Sequence, residues 1–343
     1  MRGKRIVIVG TNAIWAIETY YAKYLTALGW EIYFFDCSKF YNANSISYKL
    51  RIRLVNLGLY DRLNSALIKY CDSIKPNAIW IFKGVEVYSK TLILLKQKDI
   101  FLINYNPDHP FIRTSVAHGG KNIPSCVPIY DLHFSYRTDL IKIIEEKYSI
   151  PTKRLPFGFE LSPKEYSKIK GIPDINKVAF IGTPDRHRVD ILTALADKGF
   201  KIDIYSRTYQ HKYKLTRHNN INTFQGVFGL AFWTTIRQYR VQLNFLREHN
   251  LGSHNQRTFE VPGSGGILLT PYTEEQNYFF KENEEVFFYN DINDMYNKIE
   301  ILLMMSKLKI SEIRENAREV SLQKGYTYFD RAKYVSSILT TTL

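Results

Sequence analysis

The stretch of the sequence with the clearest chemistry is residues 257–275, where a cation and a carboxylate lie three positions apart. If residues 257–261 are helical, Arg257 and Glu260 share one face, because side chains three apart are neighbours on a helix. Three glycines follow, at Gly263, Gly265 and Gly266. We expect this turn to place the face beside the carboxyl end of a parallel strand, where open α/β sheets bind ligands. The pair suits a ligand that carries phosphates and hydroxyls, such as a nucleotide sugar.

A second set of residues suited to phosphate opens the second half of the chain. A predicted strand ends at Gly182 and Thr183, and a helix is predicted from Arg188. Backbone amides of such a loop and the positive end of the helix favour phosphate, and Arg186 and Arg188 add charged donors. The alternative is a surface loop with solvated arginines. Asn244 ends a later strand and is a candidate for a sugar or phosphate oxygen, or else a structural asparagine.

The candidates for acid–base chemistry lie in the first half. The polar segment 104–110 follows a predicted strand, so it lies at the carboxyl edge of the first sheet. Asp108 and His109 are candidate general bases for an acceptor hydroxyl. The alternative is a proline-rich turn in which Asp108 bonds its own backbone. His118, before two glycines, is a second candidate.

These residues must be positioned by strands, and the sequence predicts a set of strands in each half of the chain. Apolar runs alternate with helical patterns, which predicts crossover units and a parallel sheet. In the first half the predicted strands are 5–10, 31–36, 77–83, 101–105 and 131–135. In the second half they are 177–182, 201–206, 241–245, 267–270 and 286–289. A stretch rich in proline and glycine, 150–171, is the candidate linker, and the tail from 293 is predicted to be helical.

Length and composition narrow the classes of protein. A chain of 343 residues is too long for one ordinary core, so two domains are expected. The formal net charge of +14 favours an anionic partner, and no nucleic-acid-binding motif is present. No apolar run reaches the roughly 20 residues of a membrane span, and the apolar N-terminal run is too short for a signal peptide.

Cysteine and metal chemistry are not expected. Cys37, Cys71 and Cys126 show neither metal spacing nor a disulfide framework, which favours three buried small side chains in a reducing cytoplasm. No ligand spacing for a metal is present, so no metal site is expected. The basic, leucine-rich segment 48–57 is a candidate for peripheral contact with an anionic membrane; the alternative is a helix packed on the first sheet.

The order of motifs in the second half resembles the C-terminal domain of bacterial glycosyltransferases of the spore-maturation type, within the group 1 glycosyltransferases of the GT-B fold. The resemblance covers about residues 177–335. It rests on Phe180–Thr183 with Arg188, Leu243–Phe245, Arg257–Glu260, Gly265–Thr270, Glu285–Val286 with Asp291, and Tyr326–Arg331.

The resemblance implies α/β architecture with two Rossmann-like domains facing a central cleft. Residues 1–155 would be the acceptor domain, 156–326 the donor domain, and 327–343 a terminal helix that crosses back. It also implies a nucleotide-sugar donor, with Glu260 on the ribose and the arginines near the diphosphate, without a metal or other cofactor. The donor-binding set is then Gly182, Thr183, Arg186, Arg188, Asn244, Arg257, Thr258, Glu260 and Gly265.

The expected activity is sugar transfer to a hydroxyl on a glycan, lipid-linked glycan or protein, in bacterial surface glycan or glycoconjugate synthesis. Many retaining relatives have a second glutamate where this chain has Leu268, so the stereochemistry stays open. Two alternatives remain open as well, a nucleotide-sugar epimerase of the same architecture and a non-catalytic protein that binds nucleotide sugars.

Overall fold

The computed structural model describes residues 4–41, 58–111, 122–206, 218–247 and 250–343. The chain divides into two compact units, Met1–Pro156 with Tyr328–Leu343, and Phe157–Thr327. Each unit contains a six-stranded sheet with parallel pairing throughout. The predicted fold class, α/β with two Rossmann-like domains, is confirmed. The basic segment 48–57 and His118 lie outside the described residues.

The sheet of the first unit has the order β2-β1-β3-β4-β5-β6. Its strands are β1 (Arg5–Gly10), β2 (Glu31–Asp36), β3 (Ala78–Phe82), β4 (Phe101–Asn106), β5 (Leu132–Ser135) and β6 (Thr152–Arg154). The helices between them are α1 (Ile17–Ala27), α2 (Asp61–Ile74), α3 (Ser89–Lys96), α4 (Asn122–Cys126) and α5 (Thr138–Tyr148). The central strands are apolar and buried because helices cover both faces of such a sheet.

The sheet of the second unit has the order β12-β11-β10-β7-β8-β9. Its strands are β7 (Ile175–Ile181), β8 (Ile202–Tyr205), β9 (Ile221–Phe224), β10 (Tyr239–Leu243), β11 (Leu268–Pro271) and β12 (Phe287–Tyr289). Its helices are α6 (Pro163–Ile169), α7 (Arg186–Asp197), α8 (Gly229–Gln238), α9 (Arg257–Gly263), α10 (Glu274–Phe279), α11 (Ile292–Met304) and α12 (Lys307–Gln323). Every strand predicted from the sequence exists; the edge strands β6 and β9 were missed.

The sequence predicted that the proline-rich stretch 150–171 is a linker, but the structure shows that it contains regular elements. It contains β6, which pairs with β5, and helix α6. Ser162 and Glu165 form a capping box, and Pro163 occupies the first helical turn, where proline is favourable. The same residue type that breaks helices elsewhere therefore begins one here.

The last helix, α13 (Tyr328–Thr342), belongs to the first unit. It packs on α1 through aromatic rings, with 4.9 Å between the centroids of Tyr20 and Tyr328. The indole of Trp30 donates to the hydroxyl of Ser336 at 2.8 Å. The first unit is therefore completed by chain that follows the whole second unit.

Buried arginines hold together the helix ends of the second unit. Arg237, Arg240, Arg314 and Arg318 are each less than a tenth exposed. They donate to backbone oxygens where helices end, namely Lys170 after α6, Met305 after α11, Tyr239 after α8, and Gly263 of α9. Those carbonyls carry the negative end of the helix dipole, so they compensate the buried cations. Part of the chain's positive charge is thus structural.

Candidate functional site

The site in the second unit follows from the order of its strands. The chain runs outward through β7, β8 and β9 on one side and through β10, β11 and β12 on the other. The switch between these directions falls between β7 and β10. Ligands of open α/β sheets bind at the carboxyl ends of the strands that flank such a switch. Here those ends carry Gly182 with Thr183, and Asn244 with Phe245.

Arg188 joins the two loops of this crevice. Its Nη1 donates to the carbonyl of Thr183 at 2.8 Å, and its Nη2 donates to the carbonyl of Phe245 at 3.0 Å. The side chain is buried and lies over the ring of Phe180. Asp185 caps α7 by accepting from the amide of Arg188. Arg188 therefore holds the loops in place, and its predicted contact with a diphosphate stays a prediction.

Arg186 has a different environment although it is only two residues away. Its side chain is 84% exposed and forms an ion pair with Asp190 one turn along α7. A flexible exposed pair of this type contributes little to stability. The structure does not bring Arg186 together with Arg188, and its predicted contact with a diphosphate also stays a prediction.

Arg257 and Glu260 lie on the first turn of α9 and form an ion pair with each other. Arg257 also donates to the carbonyl of Ile181 at 3.4 Å, and its guanidinium lies over the ring of Phe232. The helical face expected from the sequence therefore exists and reaches the carboxyl end of β7. Both side chains are mainly buried but retain some exposure, at 26% and 15%.

A buried network of neutral polar groups supports this turn. The amides of Asn244 and Asn255 bond each other reciprocally at 2.9 and 3.2 Å, and Asn244 also donates to Thr270. Thr258 donates to the side chain of Gln276 at 2.8 Å and is fully buried. Asn244 and Thr258 thus act here as structural residues, and their predicted role in binding stays a prediction. No local signal in the sequence marks Asn255 or Gln276, because the network joins four separate segments.

The glycine turn lies at the other end of α9 from Arg257. It precedes β11, so it lies at the amino end of that strand, because α9 crosses back over the sheet. Gly265 has φ +70°, and a Cβ there would lie 3.3 Å from the carbonyl of Arg314. The sequence predicted that the glycine turn would lie at the carboxyl edge together with Arg257 and Glu260. The two side chains lie at that edge, but the turn lies at the opposite one, so this part of the prediction is corrected. Gly265 instead permits close packing against α12, away from the crevice.

The first unit has its own switch point, between β1 and β3. At the end of β1, Glu18 of α1 accepts from the amide of Thr11 at 2.8 Å. A Cβ on Gly10 would lie 2.6 Å from the same carboxylate, so a larger residue there would displace the Glu18 side chain. Burial raises the pKa of Glu18, and the nearby carboxylates of Glu86 and Asp36 add to the effect.

The predicted base Asp108 lies at the neighbouring strand ends. It forms an ion pair with Lys83 at 2.6 Å, and its amide donates to the side chain of Asn106 at 3.0 Å. Lys83 follows β3 with φ +61°, a conformation that a lysine rarely adopts and that marks functional sites. His109 accepts from the amide of Phe111 through Nδ1 at 3.2 Å. The structure thus places Lys83 beside the candidate base Asp108.

Within the described ranges, no group of three or more His, Cys, Asp or Glu side chains is arranged to hold a metal. The same ranges contain no helix with the length and apolarity needed to cross a membrane. The three cysteines are free and buried, as expected.

Comparison with known proteins identifies the class to which this arrangement belongs. Residues 186–337 match the family model described as glycosyl transferase-like. This range includes the Arg257–Glu260 turn, Asn244 and Arg188. A search of curated proteins gives no match.

Solved structures match over nearly the whole chain. Sucrose-phosphate synthase from Thermosynechococcus elongatus has a TM-score of 0.71 at 11% identity, covering 99% of both chains. HepE from Anabaena, solved with UDP-glucose, has a TM-score of 0.67 at 12% identity, covering 98% of this chain and 99% of the other. A putative UDP-N-acetylglucosamine 2-epimerase from Listeria monocytogenes has 0.61 at 9% identity, covering 99% and 96%.

The fold is therefore that of the GT-B proteins, as predicted. Residues 186–337 are similar to the glycosyl transferase-like family, which supports the predicted glycosyltransferase activity.

Proposed function

We propose that the second unit binds a nucleotide diphosphate sugar at the carboxyl ends of β7 and β10. The observation that carries this proposal is the Arg257–Glu260 turn at the crevice, with one cation and one carboxylate on a preorganised helix. A carboxylate is suited to accept from the two ribose hydroxyls, and a guanidinium to donate to phosphate oxygens. HepE, solved with UDP-glucose, provides an example of such a ligand on this fold.

The proposed reaction moves the sugar to an acceptor hydroxyl on a glycan, lipid-linked glycan or protein. The bond between the anomeric carbon and the diphosphate breaks, a bond forms to the acceptor oxygen, and the proton of that hydroxyl passes to a base. Asp108 is the proposed base, held by Lys83, with His109 as the second candidate. Arg257, Arg186 and Arg188 supply positive charge for the leaving diphosphate in place of a metal.

The setting of this reaction is part of the proposal. The motif order supports a place among the spore-maturation-type glycosyltransferases and a role in bacterial surface glycan or glycoconjugate synthesis. We propose a cytoplasmic enzyme that contacts the anionic inner face of the membrane peripherally, since the net charge of +14 favours such a surface.

The test is to measure nucleotide and nucleotide-sugar affinity by calorimetry for the wild type, Glu260→Ala and Glu260→Gln. We expect Glu260→Ala to weaken binding by about 10- to 100-fold, the range for a lost hydrogen bond to a charged group. Glu300→Ala, an exposed position on α11, is the matched control and should bind as the wild type does. Unchanged affinity in Glu260→Ala would refute the proposed donor site.

The same samples separate transfer from its alternatives. Slow hydrolysis of a nucleotide sugar, with release of free nucleotide, is the expected result. An epimerase would convert one nucleotide sugar into another without releasing nucleotide, and the Listeria neighbour makes this outcome worth measuring. A binding protein would do neither. Activity that survives a chelator would support the absence of a metal requirement.

A further inference from the structure

A small cavity opens at the carboxyl ends of β4 and β5 in the first unit. Its volume is about 10 Å³, enough for one water-sized group. The polar residues at its wall include Asn106, His133 and Ser135, and the apolar side is formed by Val127, Leu140 and Ile144. Strand ends of this kind are where open α/β sheets bind ligands.

The side-chain amide of Asn106, a residue that lines this cavity, has an unused donor. The backbone amide of Asp108 can only donate, and it donates to Asn106 Oδ1 at 3.0 Å, which fixes the orientation of the side-chain amide. Asn106 is 6% exposed, and its Nδ2 has no hydrogen-bond partner among the described residues. A buried N–H group without a partner costs free energy, so the cavity favours an oxygen atom as occupant.

His133 provides an acceptor on the same wall. Burial lowers its pKa to about 4, so the ring is neutral near pH 7. Its Nε2 lies 3.0 Å from the carbonyl of Val127, which can only accept, so Nε2 carries the proton. Nδ1 is then an acceptor. One donor and one acceptor beside an apolar wall match a single hydroxyl group on carbon.

We propose that this cavity takes one hydroxyl group of a sugar acceptor, with the Asn106 amide as its hydrogen-bond donor. This inference rests on the proposed transfer function and gives the acceptor side a specific contact. The turn that Asn106 begins also carries Asp108, so a hydroxyl bound here would be anchored beside the proposed base. Asn106 thus has a role in positioning the acceptor and takes no part in proton transfer.

The test pairs variants of Asn106 with sugars that lack single hydroxyls. The probes are the methyl glycosides of glucose, galactose and N-acetylglucosamine and their monodeoxy analogues, with binding measured by saturation-transfer NMR. Asn106→Ala removes the donor, and Asn106→Asp removes it while keeping the oxygen that accepts from Asp108. Melting curves for both variants establish that they fold.

We expect one monodeoxy analogue to bind the wild type about tenfold more weakly than its parent glycoside. In Asn106→Ala and Asn106→Asp that difference between parent and analogue should disappear, because the partner of the missing hydroxyl is gone. If the difference persists in both variants, or if no glycoside binds the wild type, the inference fails. A variant that changes only the melting temperature would show that the cavity holds a structural water, which also overturns it.

Nucleotide affinity measured on the same samples keeps this result separate from the donor site. Both Asn106 variants should bind nucleotide as the wild type does. If the wild type shows no difference between parent glycoside and analogue, or if the difference persists in both Asn106 variants, while the Glu260 effect on nucleotide affinity is intact, the acceptor cavity alone is refuted.

Discussion

The two switch points of this molecule are stabilised by different kinds of buried polar group. In the second unit, Arg188 bridges the two loops of the crevice, and four more buried arginines hold helix ends. In the first unit, Glu18 at the switch point has a raised pKa, and His133 on β5, two strands from β3, has a pKa lowered to about 4. A guanidinium stays charged at every ordinary pH, whereas these two groups are pushed toward neutrality. The buried arginines of the second unit therefore stay charged over the ordinary pH range, whereas the stability of the first unit depends on pH.

The largest expected effect comes from removing the cation that bridges the second switch point. Arg188→Met leaves the carbonyls of Thr183 and Phe245 without their charged donor. We expect the free energy of unfolding to fall by about 3 kcal/mol, as for a lost buried hydrogen bond to a charged group, measured by urea denaturation. Nucleotide affinity should fall at least about tenfold with it.

Arg186→Met is the matched control, because it removes an arginine of the same helical turn whose side chain is exposed. It should unfold at the same urea concentration as the wild type. Equal loss of stability in the two variants would contradict the structural role given to Arg188.

The second prediction concerns pH and the first unit. His133 is protonated below about 6.5 in the unfolded chain but only near 4 in the folded one. The unfolded state therefore binds more protons between these values, so stability present above 6.5 is lost as the pH falls. We expect the wild type to lose about 3 kcal/mol between pH 7 and pH 4 relative to His133→Gln, which keeps a donor for Val127.

The measurement is urea denaturation of both proteins from pH 7 to pH 4, with the difference between them plotted against pH. A difference that stays flat over this range would mean that His133 is not buried as a neutral ring. The contrast between the permanent charges of the second unit and the pH-sensitive groups of the first unit would then fail for His133.

The smallest expected effect tests the packing of the glycine turn in the second unit. A Cβ on Gly263 would lie 2.7 Å from the ring of Phe159, so Gly263→Ala overpacks the core. We expect a loss of about 2 kcal/mol in the free energy of unfolding, measured by urea denaturation. Gly171→Ala is the control, since no heavy atom lies within 4 Å of a Cβ there. A loss of the same size at Gly171 would show that backbone freedom, and not packing, sets the cost.

Much of the order of strands and helices could be predicted from the sequence, because the signals for these elements are local. Apolar runs between helical patterns predicted the central strands of both sheets. The one-turn spacing of Arg257 and Glu260 predicted a shared helical face, and the structure confirms that face. Edge strands β6 and β9 were missed because they are short and carry polar residues.

Tertiary structure alone decided how these residues are used. Arg186 and Arg188 are the same residue type in the first turn of α7, yet one is solvated and the other is bonded to two carbonyls, one of them 57 residues away. The glycine turn that the sequence suggested as part of the site lies at the opposite end of α9, because a crossover helix returns the chain to the amino edge of the sheet. Lys83 and Asp108 come together only because parallel strands bring separate segments to one edge. Spacing along a chain fixes which side chains share a helical face; burial, charge compensation and contact across strands are properties of the folded sheet.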